Sequence, residues 1–307
     1  MKTFQLGEPV EHRGIVVAPL FPRHDPRARY LTLDEAIPRG LRIEEVGERG
    51  SVPELVVHNA VEENVLLYDG EELVGAKQNR ILNVSVLVGH GKDLRIPVSC
   101  VEEGRWRATS AAFAAAPHAA NPALRRRKAE SLRLEPLARG LAQSEVWDEV
   151  REKNIRMRAS SPTGASAHAY SVHGDHLGEL EQKFPLQPGQ SGAVLALGDS
   201  LCLDYVSRPD AFKRLYPRLL RGYMLDALER LDRPRGDGID AFVSAVGEAQ
   251  TTRRPSAGLG EDLRLEGVAV VGSGLELDGE LLQLSAFTSA PESRRFGRIA
   301  RPSRRQA

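Results

Sequence analysis

Aromatic residues are scarce in this 307-residue chain, at 5% of positions, and cysteine is scarcer still, with only Cys100 and Cys202. Two thiols cannot build the disulfide framework of a small secreted domain, so a reducing compartment is expected. No apolar run approaches the ~20 residues of a membrane-spanning helix. Residues 1–8, Met-Lys-Thr-Phe-Gln-Leu-Gly-Glu, lack the apolar centre of a secretory signal. Net charge is also missing, because 42 basic side chains balance 42 acidic ones. No global field then draws the chain to nucleic acid or anionic lipid, and any basic patch must be local. The expectation from these absences is a soluble, cytoplasmic protein with no membrane partner.

What is present is an ordinary globular balance, 41% hydrophobic and 27% charged, which is enough for a packed core. One large α+β domain is expected over residues 1–290. Within it lie a strand-rich segment (10–110), a helical segment (122–158) and a hairpin–helix–hairpin segment (190–290). Residues 291–307 carry Arg294, Arg295, Arg298, Arg301, Arg304 and Arg305 with little to bury, so this basic tail is expected to be disordered.

Three short turns predict antiparallel hairpins rather than a doubly wound parallel sheet. They are Asp69-Gly70 between 65–68 and 71–76, Gly198-Asp199 between 194–197 and 200–205, and Asp278-Gly279 between 275–277 and 280–284. Asp-Gly suits a type I′ turn, whose two central residues need positive φ. Residues 122–158 are rich in Arg, Glu, Leu and Ala, and Pro136 and Gly140 are expected to split them into two helices. From Phe212 to Leu231, apolar residues recur in steps of three and one, forming a stripe on one helix face. Pro217 falls inside it and predicts a kink or a disrupted turn. Residues 160–174, rich in Ser, Ala and Gly, read as a loop.

The polar run 71–80, Glu-Glu-Leu-Val-Gly-Ala-Lys-Gln-Asn-Arg, precedes two alternating apolar segments at 82–88 and 94–100. Pairing these as a hairpin places Leu82 opposite Cys100 and Arg80 opposite Glu102. Gln78, Arg80 and Glu102 then share a face, with Lys77 and Asn79 on the other. Two readings stay open: a structural Arg80–Glu102 pair with a bulge near Gly75, or a pocket at the sheet's end where these groups meet a polar ligand.

Residues 70–80 and the block 96–106, Ile-Pro-Val-Ser-Cys-Val-Glu-Glu-Gly-Arg-Trp, resemble the ARG (ADP-ribosylglycohydrolase) and Rhodanese-Phosphatase-superfamily-associated protein family. Residues 144–147, 219–228, 258–264 and 278–287 fit the same family, though Gln283 stands where a histidine is expected. The resemblance implies an association with NAD and ADP-ribose metabolism and no particular reaction. The site is physically compatible with such a ligand. Lys77, Arg80 and Arg105 could hold a pyrophosphate and Trp106 could stack on a base, with Gln78 and Asn79 as further contacts. Glu72 or Glu102 could accept from ribose hydroxyls or act as a base.

Other constellations are weaker. His173-x-Asp175-His176 lacks the further ligands of a tetrahedral site, so no metal and no cofactor is expected. Cys100 and His90 lie too far apart along the expected hairpin to form a nucleophile–base pair. Arg125-Arg126-Arg127-Lys128 has no interleaved aromatics and reads as a solvated helix face. Gly258-x-Gly260 lacks the strand and helix of a dinucleotide fingerprint. The functional expectation is a module that binds or hydrolyses an ADP-ribose-, NAD- or nucleotide-like compound. The alternatives are a non-catalytic interaction protein, and a polyanion binder acting through its arginines.

Overall fold

The computed structural model describes residues 3–47, 50–133, 139–233 and 238–289. The basic tail from 291 and Pro136 therefore lie outside the described residues. Within them the chain is α+β. Its largest sheet is antiparallel throughout and runs Phe4–Leu6, Ile15–Pro22, Gly192–Leu197, Ser200–Val206, Glu280–Thr288, Val270–Leu277, Glu261–Glu266 and Gln250–Pro255, with Val10–His12 also on Ile15–Pro22. A second sheet is ordered Phe113–Ala119, Glu71–Gly75, Arg80–Leu82, Asp93–Cys100, Glu54–His58 and Arg42–Glu45. A small third sheet holds Val86–Val88, Val65–Leu67 and Leu31–Thr32, the last pair parallel.

Two of the three predicted hairpins form. Leu197 pairs with Ser200 and Leu277 with Glu280 across their two-residue turns. Asp278 and Gly279 take φ of +49° and +75°, the positive pair that a type I′ turn requires. The Asp69-Gly70 turn does not make a hairpin. The strands on either side enter different sheets, and of the two residues only Gly70 has a positive φ, +79°. Asp69 is held in place by its side chain, which is buried against Lys128 and Arg125.

The hairpin expected over 82–88 and 94–100 is also replaced. After Leu82 the chain leaves the sheet, and Val86–Val88 pairs with Val65–Leu67. Asp93–Pro97 pairs with His58–Glu54, and only Val98–Cys100 meets Leu82–Arg80. Arg80 therefore stands opposite Cys100, two residues from the expected register. Arg80–Leu82 and Val86–Val88 are buried at every position, and apolar alternation does not choose the strand that covers an edge.

Helices Pro122–Arg133 and Arg139–Arg156 occupy the predicted helical segment, and Gly140 lies inside the second rather than between them. The expected loop at 160–174 contains the helix Ala167–Val172. Helix Pro209–Leu228 runs continuously through Pro217. Proline removes one intrahelical hydrogen bond, but burial of Phe212, Leu215, Tyr216, Leu219, Tyr223 and Met224 against the large sheet contributes ~1.5–3 kcal/mol per side chain. This helix and Pro122–Arg133 also contact the strands and turns of the second sheet, so the two sheets meet across a layer of helix.

Candidate functional site

Between the sheets the four basic residues 125–128 diverge. On a 3.6-residue helix Arg125 and Lys128 share one side, and both are buried, at 0% and 3% exposure. This corrects the reading of the run as a solvated face. Arg125 donates two hydrogen bonds to Asp204, at 2.8 and 2.6 Å, and one to Ser285 Oγ at 2.8 Å. Its guanidinium lies 5.6 Å from the Tyr68 ring and 5.2 Å from that of Phe287, within cation–π range. Lys128 pairs with Asp69 and donates to Leu82 O at 2.8 Å. Arg125 also passes directly over Gly70, where an added Cβ would sit 2.6 Å from Arg125 Cδ. That space exists only because residue 70 is glycine.

Asp204 is the centre of this network. Tyr68 and Tyr223 each donate a hydroxyl to it at 2.6 Å, and Ser285 donates at 2.9 Å. Burial alone would raise its pKa, but the Arg125 guanidinium and the Tyr223 and Tyr68 hydroxyls outweigh it and hold the carboxyl at about 2. Burial pushes Lys128 below the usual lysine range, with Asp69 opposing the shift. Two cations and two carboxylates compensate one another here, and none of the four is open to solvent.

Arg126 points elsewhere, toward a cavity of about 520 Å³ between three helices and the large sheet. The floor is Leu195, Leu197, Leu201, Cys202 and Phe287, and Arg126, Arg230 and Arg233 stand on its walls. Arg230 is anchored through one nitrogen, which donates to Leu197 O at 3.1 Å and Ser200 Oγ at 2.8 Å. Arg126 Nε is buried with no hydrogen-bond partner. Among the described residues none of these three arginines pairs with a carboxylate. The carboxylates of the cavity behave differently. Glu149 is bridged by Arg127 at 2.9 Å and Arg156 at 3.1 Å, and Glu229 by Arg156 at 2.8 Å and Lys153 at 2.7 Å. Asp226 accepts from Asn121 at 2.7 Å, Lys153 at 2.6 Å and the Ala123 amide at 2.8 Å.

The residues singled out in the sequence form a separate cluster and do not line this cavity. Glu72 is buried 3.1 Å from His118 Nε2, and His118 stacks on Tyr170 with centroids 3.7 Å apart. Asn79 donates to Glu72 at 3.4 Å and accepts from Arg105 at 3.0 Å. Arg105 pairs with Glu102 at 2.7 Å, and Glu102 also accepts from the Asn79 amide at 3.2 Å and Thr163 at 2.9 Å. Burial works to raise the Glu102 pKa, but these donors lower it overall. The expected Arg80–Glu102 pair is thus replaced by Arg105–Glu102. Arg80 is fully buried beside Glu45 at 3.6 Å and donates to Gln78 Oε1 at 3.1 Å. Lys77 and Arg80, expected on opposite faces, both approach the half-exposed Trp106 ring, at 5.5 and 5.7 Å. Positive φ at Gly75 (+123°) and Ala76 (+39°) turns the chain here, close to where a bulge was expected, and this rotates Lys77 toward Arg80.

Asp204, Tyr68, Tyr223 and Arg230 were not singled out as site residues in the sequence, and Arg126 was read only as part of a solvated basic run. One signal existed: Asp204 is a lone charge in the apolar strand Ser200–Val206, and such a carboxylate must find a cation. Cys100 is buried, and burial pushes its thiol up to about 11. His173 Nε2 lies 2.8 Å from Met157 O.

No helix among the described residues is long and apolar enough to cross a membrane. No curated protein and no solved structure matches the chain. The ARG and Rhodanese-Phosphatase-superfamily-associated Protein domain matches residues 3–287, which include both polar clusters and every strand of the large sheet, and the chain belongs to that family.

Proposed function

We propose that the chain binds a phosphorylated, nucleotide-like small molecule in the 520 Å³ cavity. The observation that carries this reading is the set of arginines without carboxylate partners among the described residues, Arg126, Arg230 and Arg233, above an apolar floor that includes Phe287. Guanidinium groups suit phosphate through planar, multiple donors, and the volume falls in the range of small-molecule sites, ~300–1,000 Å³. The association with ADP-ribose and NAD metabolism implied by the family resemblance favours the same class of compound. Binding is favoured over hydrolysis, because Glu149, Asp226 and Glu229 are tied to cations and are poorly placed to serve as a base. The few cysteines suit a reducing, cytoplasmic setting for this activity.

Isothermal titration with ADP-ribose, NAD, ADP and AMP tests the reading. At least one should bind, and Arg126→Ala with Arg230→Ala should weaken it by tenfold or more. Retained affinity in that double variant would remove the cavity from consideration. A second reading keeps the ligand at Trp106, whose half-exposed ring is flanked by Lys77 and Arg80. It predicts the reverse pattern, with loss in Trp106→Ala and none in the arginine double variant.

A further inference from the structure

The polar groups of the cavity are unequal in what they have left to offer. Each oxygen of Glu149, Glu229 and Asp226 already accepts from, or pairs with, a cationic or amide partner. The neutral oxygens at the cavity are also engaged: Ser200 Oγ accepts from Arg230, and Thr288 Oγ1 accepts from the Leu201 amide at 3.1 Å. The groups without any partner among the described residues are of the opposite kind. Arg230 uses one of its nitrogens, Arg126 Nε is buried without a partner, and Arg233 lies exposed at the cavity. Among the described residues, the cavity's unpartnered groups are therefore donors, whereas each of its carboxylate and hydroxyl oxygens already holds at least one hydrogen bond or ion pair.

Sugar hydroxyls are commonly read by a carboxylate that accepts a hydrogen bond from them. Phosphoryl oxygens carry only acceptor sites and need donors. We infer that this site recognises the phosphoryl part of its ligand and is indifferent to the ribose hydroxyls, so that ribose and deoxyribose forms are taken alike. The inference rests on the proposed occupancy of the cavity and narrows it to a class: nucleotides and related phosphorylated compounds held by phosphate contacts and by apolar packing on Leu195, Leu201 and Phe287.

The test is a titration of the full chain with ADP, 2′-deoxy-ADP, adenosine and inorganic pyrophosphate, in buffer of fixed ionic strength. ADP and 2′-deoxy-ADP should bind within about twofold of each other, pyrophosphate should compete with both, and adenosine should give no heat. Binding of 2′-deoxy-ADP tenfold weaker than ADP would overturn the inference while leaving the cavity as the ligand site. So would binding of adenosine as tight as that of ADP. If no probe binds, nor AMP, NAD or ADP-ribose, both the inference and the proposed function fail. Arg126→Lys keeps the charge but loses the fork of donors. It should weaken ADP and pyrophosphate by a similar factor, and an effect on ADP alone would also overturn the inference.

Discussion

Arg125 and Arg126 are consecutive in one helix, yet they belong to different kinds of site. Arg125 is enclosed by Asp204, Asp69, Ser285 and two aromatic rings, with its charge compensated where it stands. Arg126 faces a cavity and meets no carboxylate among the described residues. A compensated buried charge holds elements together and has little capacity left for anything else. An uncompensated charge at a cavity adds little to stability and keeps its donors available for a ligand. The cost of breaking each arrangement should therefore appear in different measurements.

The largest effect is expected at the closed network. Asp204→Ala leaves Arg125 buried without its principal partner, and such losses run to about 3–5 kcal/mol. Urea denaturation should show this, and a loss below about 1 kcal/mol would mean that the network is not the tie between the sheets. Arg126→Ala in the same assay should stay within about 1 kcal/mol of the parent.

The pH dependence sharpens the same contrast. Folding depresses the Asp204 pKa from its ordinary value to about 2, so the stability this group contributes is complete above about pH 4 and disappears as pH falls toward 2. The size is roughly 2 kcal/mol, at about 1.4 kcal/mol per pKa unit. Denaturation midpoints measured from pH 5 to pH 2 should fall for the parent protein. Asp204→Asn should flatten that part of the profile, and an unchanged slope in this variant would assign the acid sensitivity to other carboxylates.

At the open site, Arg230→Ala should lower affinity for ADP about tenfold, which corresponds to ~1.4 kcal/mol, with little change in melting temperature. Equal losses of stability and affinity would erase the distinction between the two regions. The smallest effect belongs to a turn remote from both: Gly279→Ala strains a residue with φ of +75° and should cost about 1 kcal/mol by thermal denaturation, with ADP binding unchanged.

Much of this was legible in the order of residues, but unevenly. The Gly198-Asp199 and Asp278-Gly279 turns join strands that are neighbours in sequence, and local turn chemistry was sufficient to identify them. Asp69-Gly70 offers the same signal and makes no hairpin, because its aspartate is held by Lys128 and Arg125 from a helix more than fifty residues away. The polar run to Arg80 and the block to Trp106 do come together. Their pairing differs from the expected hairpin because the chain leaves the sheet after Leu82, and Glu102 pairs with Arg105 rather than Arg80. The cavity was not visible at all. Its arginines lie on one helix and in the turn that follows another, its floor belongs to the large sheet, and no local spacing connects residue 126 with residue 230.

Local pattern along the chain was enough for the class of fold, two of its tight turns and the long amphipathic helix. These follow from periodicity and turn chemistry, which act over a few residues. Only the tertiary structure decided which strands pair and which of four adjacent basic residues are neutralised. Adjacent positions on a helix point about 100° apart, and what each one meets is set by elements distant in the chain. For that reason Arg125 became part of the core and Arg126 part of a cavity.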